Sequence, residues 1–588
     1  MLNKEQLEIV KNENDNILVI AGPGSGKTRV LVYKMAHILE NSKDSFKAAC
    51  LTFSNEAAKH MKDELKKLLP ANKMRRLFVG NFHQYGQYLL RNYGHLVGVS
   101  RKFTVMSPDQ SLEILKESLL SVGLTVSDTR KLIDNISRYR NGVNYPKPEE
   151  LGEFSSQFVS IMKSYEVLKR ERALIDFDDL IILSIDLLKK NPHLQILVRQ
   201  VYKYIFVDEL QDTSLLQLEL LKIIFDENNG RILGVADQDQ ILYEWRDARV
   251  RTIKDFENEF NAKVKRLVLN YRSPQEILDV ANTLIKHNDD RFDSNLVSTV
   301  KDREGVVVVH SAQFPIDEAN FVVDNIVESI SNGHRFGDHV VLFREFWMAI
   351  DVKDALSKRN IPYVHIGSKE VSKSSITNFL KATIYLASGS EYGRKQLVKS
   401  MEDLAEEVDT DIIDPEQLIK IINETSKLPP SRFVDTLLMK IGLRKIVEGT
   451  ELAKRLEVAT KVIREAFNDG ISSYNSLSDA ITMEWERLEA KVLKQENSVK
   501  VMTIHRSKGL EFPVVYIIHF EEGNIPRIRK DSTPNFPEER RLLYVAITRA
   551  KEKVIITHSE FKKNNNFNIR STSSRFLEEI SSCKMLKD

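Results

Sequence analysis

At 588 residues, with 42% hydrophobic and 29% charged side chains, the sequence reads as a soluble globular chain too long for one hydrophobic core. No apolar run is long enough to span a bilayer, the first residues lack a charged-then-apolar signal segment, and a net charge of +2 neither demands nor forbids nucleic acid. Cys50 and Cys583 are the only cysteines, which excludes a disulfide framework and all-cysteine zinc or iron–sulfur sites and points to a reducing, cytoplasmic compartment.

A helical pattern after Leu2-Asn3-Lys4-Glu5-Gln6 leads into the apolar strand Ile17-Leu18-Val19-Ile20. There follows the loop Ala21-Gly22-Pro23-Gly24-Ser25-Gly26-Lys27-Thr28 and a helix-like pattern to Leu39. Strand, glycine-rich turn and helix in this order form a P-loop, whose backbone N–H groups close around phosphates at a helix N-terminus. Lys27 would reach the β/γ-phosphates and the Thr28 hydroxyl would ligate Mg²⁺. A Rossmann fingerprint fits worse, because its third glycine would fall on Lys27. Strands are expected at Lys47–Phe53 and Leu77–Val79, each followed by a helix.

From about Ser107 to Gln200 the apolar spacing is helical, which reads as an insertion. Strands return at Tyr204–Val207, Arg231–Val235, Val264–Leu269, Val306–His310, Val340–Phe343 and Tyr363–Ile366, separated mostly by helices, as in parallel βα units. A second helical stretch runs from roughly Gly389 to Asn497. Strands resume at Val499–Ile504, Val514–Ile518 and Val554–Thr557, with a helix at Glu538–Arg549. The Asn/Ser-rich segment Lys562–Ser574 reads as mobile. The implied fold is α/β, two units with parallel sheets, each interrupted by a helical insertion, sharing one nucleotide site in the cleft between them. The divisions are 1–106 and 201–270 for the first unit and 271–388 and 498–561 for the second. The insertions are 107–200 and 389–497, and 562–588 is a polar tail with a terminal helix.

Asp208-Glu209 ends an apolar strand, where open parallel sheets place ligand chemistry. Asp208 would hold Mg²⁺ and Glu209 would orient and deprotonate the attacking water. On its own such a pair is an acidic helix cap; beside a P-loop it reads as catalytic. Gln240 follows another strand, placed to sense the γ-phosphate. Tyr243 and Trp245 offer flat faces to nucleobases beside Arg246, although an isolated Tyr-x-Trp is more often packing.

The ordered set resembles the motif series of the UvrD/Rep-type superfamily 1 DNA helicases. It comprises Leu2-Asn3-x-x-Gln6, the P-loop, Thr52-Phe53-Ser54-Asn55-Glu56-Ala57-Ala58, Asn81-Phe82-His83, Asp176-Phe177-Asp178-Asp179-Leu180 and Asp208-Glu209-Leu210-Gln211-Asp212. Leu269-Asn270-Tyr271-Arg272-Ser273, Thr503-Ile504-His505-Arg506-Ser507-Lys508-Gly509-Leu510-Glu511-Phe512 and Glu539–Ala550 continue it. The resemblance runs through nearly the whole chain and implies two RecA-like P-loop NTPase domains. By it, Gln6, Arg29 and Tyr271 would hold the adenine, Glu511 the ribose side, and Arg272 and Arg549 would act as arginine fingers. Phe53, Asn55, His83, Tyr243, Trp245, Arg246 and His505 would line the DNA track, although His83 and His505 read equally well as hydrogen-bonded core histidines. The sequence departs from the family at Ala21, Ala236, Ile241 and Asp247, and its second insertion is short.

The expected activity is an ATP- and Mg²⁺-dependent motor on single-stranded DNA that unwinds duplex at single-strand/duplex junctions, with 3′→5′ polarity. A DNA-stimulated ATPase subunit of a larger repair or defence complex is the alternative, with a protein partner on the second insertion or the tail. A nuclease fusion is disfavoured, and composition leaves RNA open.

Overall fold

The structure is a computed structural model. It describes residues 2–41, 46–124, 129–141, 146, 148–242, 250–289, 291–292, 295–367, 373–408, 414–468, 471–483, 485–494, 497–528, 534–564, 567–581, 583 and 586–587.

Two parallel sheets organise the chain. The first runs in the order Leu77–Asn81, Lys47–Thr52, Tyr202–Val207, Arg231–Ala236, Ile17–Ala21 and Lys263–Leu267. Every residue of its Ile17–Ala21 strand is buried, as a strand covered on both faces requires. Ile20 stands opposite Ala236, so the P-loop and the Asp237 that follows Ala236 emerge side by side at the same sheet edge. The second sheet runs Tyr363–Ile366, Val499–Thr503, His339–Phe343, Phe512–Ile517, Ala550–Ser559, Val306–Ala312 and Leu586–Lys587, again parallel throughout. The fold class is therefore the one the sequence implies: α/β, with two RecA-like sheets.

Helix starts follow from local chemistry. Asn3 with Gln6, Asn81 with Gln84, Ser107 with Gln110 and Ser214 with Gln217 each form a reciprocal capping box, in which two otherwise orphaned N–H groups find side-chain acceptors. Asp176 and Asp179 make the same box at the start of helix Phe177–Lys190. There both carboxylates also bind Lys169, at 2.8 Å each, and Arg140. Burial raises the cost of Asp176's charge, but Arg140 and Lys169 outweigh it and hold that carboxyl well below the usual range. This segment is a buried ionic knot.

Each insertion has its own core. Met106, Ile114, Leu115, Phe158, Tyr165 and Leu174 form one, whereas Leu180, Ile185, Leu188 and Val198 pack with the first sheet. The other gathers residues from Ile376 to Val492, so helix Ser375–Ala387 packs with the second insertion. Asp479 of that insertion accepts a hydrogen bond from Gln87 at 2.9 Å and lies 3.6 Å from Arg91, joining it to the first unit.

Three expectations change. The strand read as Val264–Leu269 is two: Lys263–Leu267 belongs to the first sheet, and Leu269–Asn270 leaves it to pair with Val297–Ser298, so that Asn270 goes with the second unit and not, as read from the sequence, with the first. The helix read as Glu538–Arg549 is Phe536–Ile547, which places Arg549 beyond the helix, immediately before strand Ala550–Ser559. The tail is ordered where it is described. Phe561–Asn564 and Phe567–Arg570 pair antiparallel, helix Arg575–Ser581 buries Phe576 and Ile580 in the second core, and Leu586–Lys587 joins the second sheet. Its polar composition hid an apolar minority placed at pairing and packing positions.

Candidate active site

The P-loop is built by its glycines. Gly24 has φ +67, and a Cβ there would sit 2.7 Å from Asn270 Nδ2 and 2.8 Å from Arg272 Cβ. Glycine is required twice over, by the left-handed backbone and by the approach of the second unit. Lys27 opens helix Lys27–Asn41 and folds back: its ammonium donates to Ala21 O at 3.2 Å and pairs with Asp237 Oδ2 at 2.9 Å. Thr28 follows, half-buried, and Arg29 is exposed with its guanidinium 5.6 Å from the Tyr33 ring. Gln6 is buried and donates to Ser25 O at 3.0 Å, which fixes the first helix against the loop.

Beyond strand Arg231–Ala236, at the end of Tyr202–Val207, Glu209 adopts φ +49, a left-handed conformation unusual for a residue with a side chain. Its carboxylate accepts from Gln211 Nε2, and Gln211 Oε1 accepts from Asp237 N at 2.9 Å. Gln240 donates to Asp237 Oδ2 at 2.9 Å. Asp208, Glu209, Asp212 and Asp237 thus converge beside two lysines, Lys27 and Lys508, while Asp239 pairs with Arg291 at 2.7 Å. Burial and the adjacent Glu209 push the Asp208 carboxyl up to about 7. Burial also raises the cost of Glu209's charge, but Lys27 and Lys508 outweigh it and hold this carboxyl below its usual range. One of the paired carboxylates is thereby poised to stay charged, the other to hold a proton until a cation arrives.

The second unit closes over this edge. Tyr271 N donates to Gly24 O at 2.9 Å, and Asn270 Nδ2 donates to Pro23 O at 2.7 Å. Asn270 Oδ1 accepts from the backbone N–H of Arg272 and of Ser273, both at 2.8 Å. The Tyr271 ring stays 47% exposed, its hydroxyl accepting from Asn3 Nδ2 at 2.8 Å. Arg272 pairs with Glu511 at 2.8 Å, and Glu511 also meets Lys551 at 2.6 Å. Arg549 is 1% exposed and donates to Val545 O at 2.9 Å and Leu510 O at 3.1 Å. Burial and the neighbouring Arg272 push it down to about 9, while Asp237 and Glu209 pull the other way, so it remains a cation at neutral pH.

Of the residues singled out in the sequence, the structure brings together Gln6, Ala21, Gly22, Pro23, Gly24, Ser25, Gly26, Lys27, Thr28, Asp208, Glu209, Gln240, Tyr271, Arg272, Glu511 and Arg549. The nucleic-acid candidates are spread more widely. Asn55 Oδ1 accepts from Asn81 Nδ2 at 2.8 Å, tying two loop–helix junctions at the ends of adjacent strands Lys47–Thr52 and Leu77–Asn81. His83 lies edge-on to Phe177 with ring centres 5.8 Å apart, and Phe53 is half-buried. Burial and Arg344 push His505 down to about 3, so it is neutral. Tyr243, Trp245, Arg246 and Asp247 lie outside the described residues.

The sequence reading missed four participants. Asp237 is the partner of Lys27, and its position after an apolar strand was the available signal. Lys508 binds Asp212 and donates to Gln240 O at 2.9 Å, crossing from the second unit to the first. Asn270 and Gln211 organise the loops from beneath, roles that only three-dimensional pairing reveals.

The donor set suits a divalent cation. Asp208 Oδ1 is buried and lacks a hydrogen-bond partner among the described residues, and Thr28 supplies a hydroxyl at the start of the P-loop helix.

Two parallel sheets facing one P-loop define a two-lobed nucleotide-binding protein. Residues 2–261 match the UvrD/REP helicase N-terminal domain, and 265–387 with 389–560 match the UvrD-like helicase C-terminal domain. The chain belongs to the UvrD/REP helicase family. It is 29% identical to the ATP-dependent DNA helicase PcrA of Staphylococcus epidermidis strain RP62A, across 98% of this chain and 86% of that protein. It is 30% identical to PcrA of Staphylococcus aureus strain Mu50, with the same coverage. Among the described residues no helix is long and apolar enough to cross a membrane.

Proposed function

We propose that this protein is an ATP-dependent DNA helicase that moves 3′→5′ on single-stranded DNA and unwinds duplex at junctions, acting in the cytoplasm. The observation that carries the reading is the apposition of one P-loop with Arg272 and Arg549, two cations belonging to the other unit.

In the proposed cycle Lys27 exchanges Asp237 for the β/γ-phosphates of ATP. Gln6, Arg29 and Tyr271 hold the base, and Glu511 the ribose side. Thr28 and Asp208 would hold Mg²⁺, which when bound neutralises charge on the phosphates. Glu209, kept ionised by Lys27 and Lys508, orients the attacking water and accepts its proton. Arg272 and Arg549 stabilise charge on the transferring phosphoryl group.

The two cations favour the closed lobes only while a γ-phosphoryl is present, so hydrolysis removes the differential contact and the cleft reopens. Gln240 lies between the γ-phosphate side and Lys508, and passes that change toward a DNA track lined by Phe53, Asn55, His83, Tyr243, Trp245, Arg246 and His505. Stacking and phosphate contacts suit a motor because they ignore sequence.

The test is DNA-stimulated ATPase and strand displacement on duplexes carrying a 3′ or a 5′ tail. Lys27→Ala should abolish both activities. Displacement confined to 5′-tailed substrates would overturn the polarity, and ATPase without displacement on either would leave a DNA-stimulated ATPase in place of a helicase.

A further inference from the structure

At the end of the second sheet remote from Arg549, three buried side chains meet: Glu318 of helix Pro315–Ser331, and His519 and Glu521 of the loop after strand Phe512–Ile517. Strand Ala550–Ser559 separates them from the nucleotide cleft. Arg549 precedes its first residue, whereas Thr557 and Ser559 at its far end touch the cluster. At roughly 3.3 Å per residue the two sites stand on the order of 30 Å apart.

We propose that Glu318, His519 and Glu521 form a binding site for a divalent transition-metal ion of the Zn²⁺ type. One potential ligand atom from each lies within 4.8 Å of the others. His519 Nε2 faces Met348 O at 3.1 Å and, as donor to that carbonyl, leaves the Nδ1 lone pair pointing away from it. A backbone carbonyl behind the far ring nitrogen is the usual way a metal-binding imidazole is oriented.

Nδ1 lies 3.6 Å from Glu318 Oε2, and both atoms are buried without a hydrogen-bond partner among the described residues. When the ring is neutral these two acceptors face each other with no hydrogen between them, an arrangement that a shared cation relieves. The spacing suits a shared ion: two ligands about 2.1 Å from a tetrahedral centre stand about 3.4 Å apart.

The remaining donors are held in place for this. Glu318 Oε1 accepts from His519 N at 2.8 Å and Thr557 Oγ1 at 2.6 Å, which turns Oε2 toward the ring. Glu521 Oε1 accepts from Ser559 N at 2.8 Å and Ser559 Oγ at 3.0 Å. Glu521 Oε2 accepts from Asn524 Nδ2 at 2.7 Å and pairs with the half-buried Lys562 at 3.1 Å. Among the described residues Lys562 is the lysine paired with this cluster, and an ion bound at Glu521 would take its place.

His519 has φ +55, a backbone conformation that glycine adopts freely and that histidine holds at a cost. Glu318 holds the backbone N–H of His519 in that conformation, and local strain of this kind clusters at ligand sites. Mixed nitrogen and carboxylate donors select Zn²⁺ or its transition-metal neighbours over Mg²⁺. A bound ion would staple helix Pro315–Ser331 to the loop that carries His519 and Glu521.

The full-length protein, stripped with chelator, is titrated with Zn²⁺ by calorimetry, with metal content and thermal unfolding measured in parallel. One ion per chain that is retained in Asp208→Asn, and a saturable rise in Tm, are expected. His519→Gly removes the ligand while suiting the left-handed backbone, and Glu318→Gln preserves the acceptor for Thr557. Each should weaken binding about 100-fold or more. Asp208→Asn, at the remote cleft, should leave this binding intact. Absence of stoichiometric uptake, or uptake undiminished in both variants, overturns the site. So does an NMR spectrum showing His519 Nδ1 still protonated in saturating Zn²⁺, which would mean that a proton alone bridges the pair.

Discussion

Asn270 makes the sharpest test of how the two units are joined. It is fully buried, and among the described residues its side chain makes three hydrogen bonds: to Pro23 O in the P-loop at 2.7 Å, and from the N–H groups of Arg272 and Ser273 at 2.8 Å each. Asn270→Ala leaves the two donors and one acceptor unmatched where the side chain had excluded water. At about 0.5–1.5 kcal/mol net for each bond, the loss is about 2–4 kcal/mol. Because these bonds aim Arg272 and hold the P-loop against the second unit, the loss should fall on the closed, reacting state. With roughly 1.4 kcal/mol per factor of ten, kcat/KM for ATP should drop roughly 30- to 700-fold. The assay is steady-state ATPase with saturating single-stranded DNA, with Tm followed alongside to separate loss of fold from loss of closure. A variant within threefold of the parent, with unchanged Tm, would refute the account of Asn270 as the joint between P-loop and arginine.

Glu209→Gln keeps the shape and the contact with Gln211 but removes the proton acceptor. kcat should fall about 10²- to 10⁴-fold while ATP binding, measured by fluorescent-nucleotide titration, is retained. Asp208 titrates near 7 in the folded chain against an ordinary 3.8, so between these values the folded state holds a proton that the unfolded state has lost. Its contribution to stability is present at low pH and is lost as pH rises through 7. Mg²⁺ should reverse that loss, and the apparent Mg²⁺ affinity in ATPase assays should tighten from pH 6 to pH 8. Gly86→Ala should be strongly destabilising, by about 2–4 kcal/mol in urea unfolding, because the added methyl would lie 2.2 Å from Leu180 O in the facing helix.

The sequence alone carried the P-loop, the paired carboxylates at a strand end, the order of the motifs and the two-unit plan. These are local signals: an apolar strand, a glycine-rich turn and a helix start are each written in consecutive residues, so Lys27, Thr28, Asp208 and Glu209 could be named before any contact was known. Arg272 and Arg549 came from motif resemblance, and only the fold explains them, since the segments around Asn270 and Arg549 approach one P-loop across intervening insertions. Asp237 as the partner of Lys27, Lys508 reaching Asp212, and Asn270 beneath the P-loop depend on strand order. So does the burial of Phe576 and Ile580 from a tail that reads as polar. Strand order is set by packing among residues hundreds of positions apart, and no run of neighbours encodes it. The Glu318–His519–Glu521 cluster is the extreme case. Its members are unremarkable in the chain, and a left-handed turn and the end of a parallel sheet bring them together in a buried site.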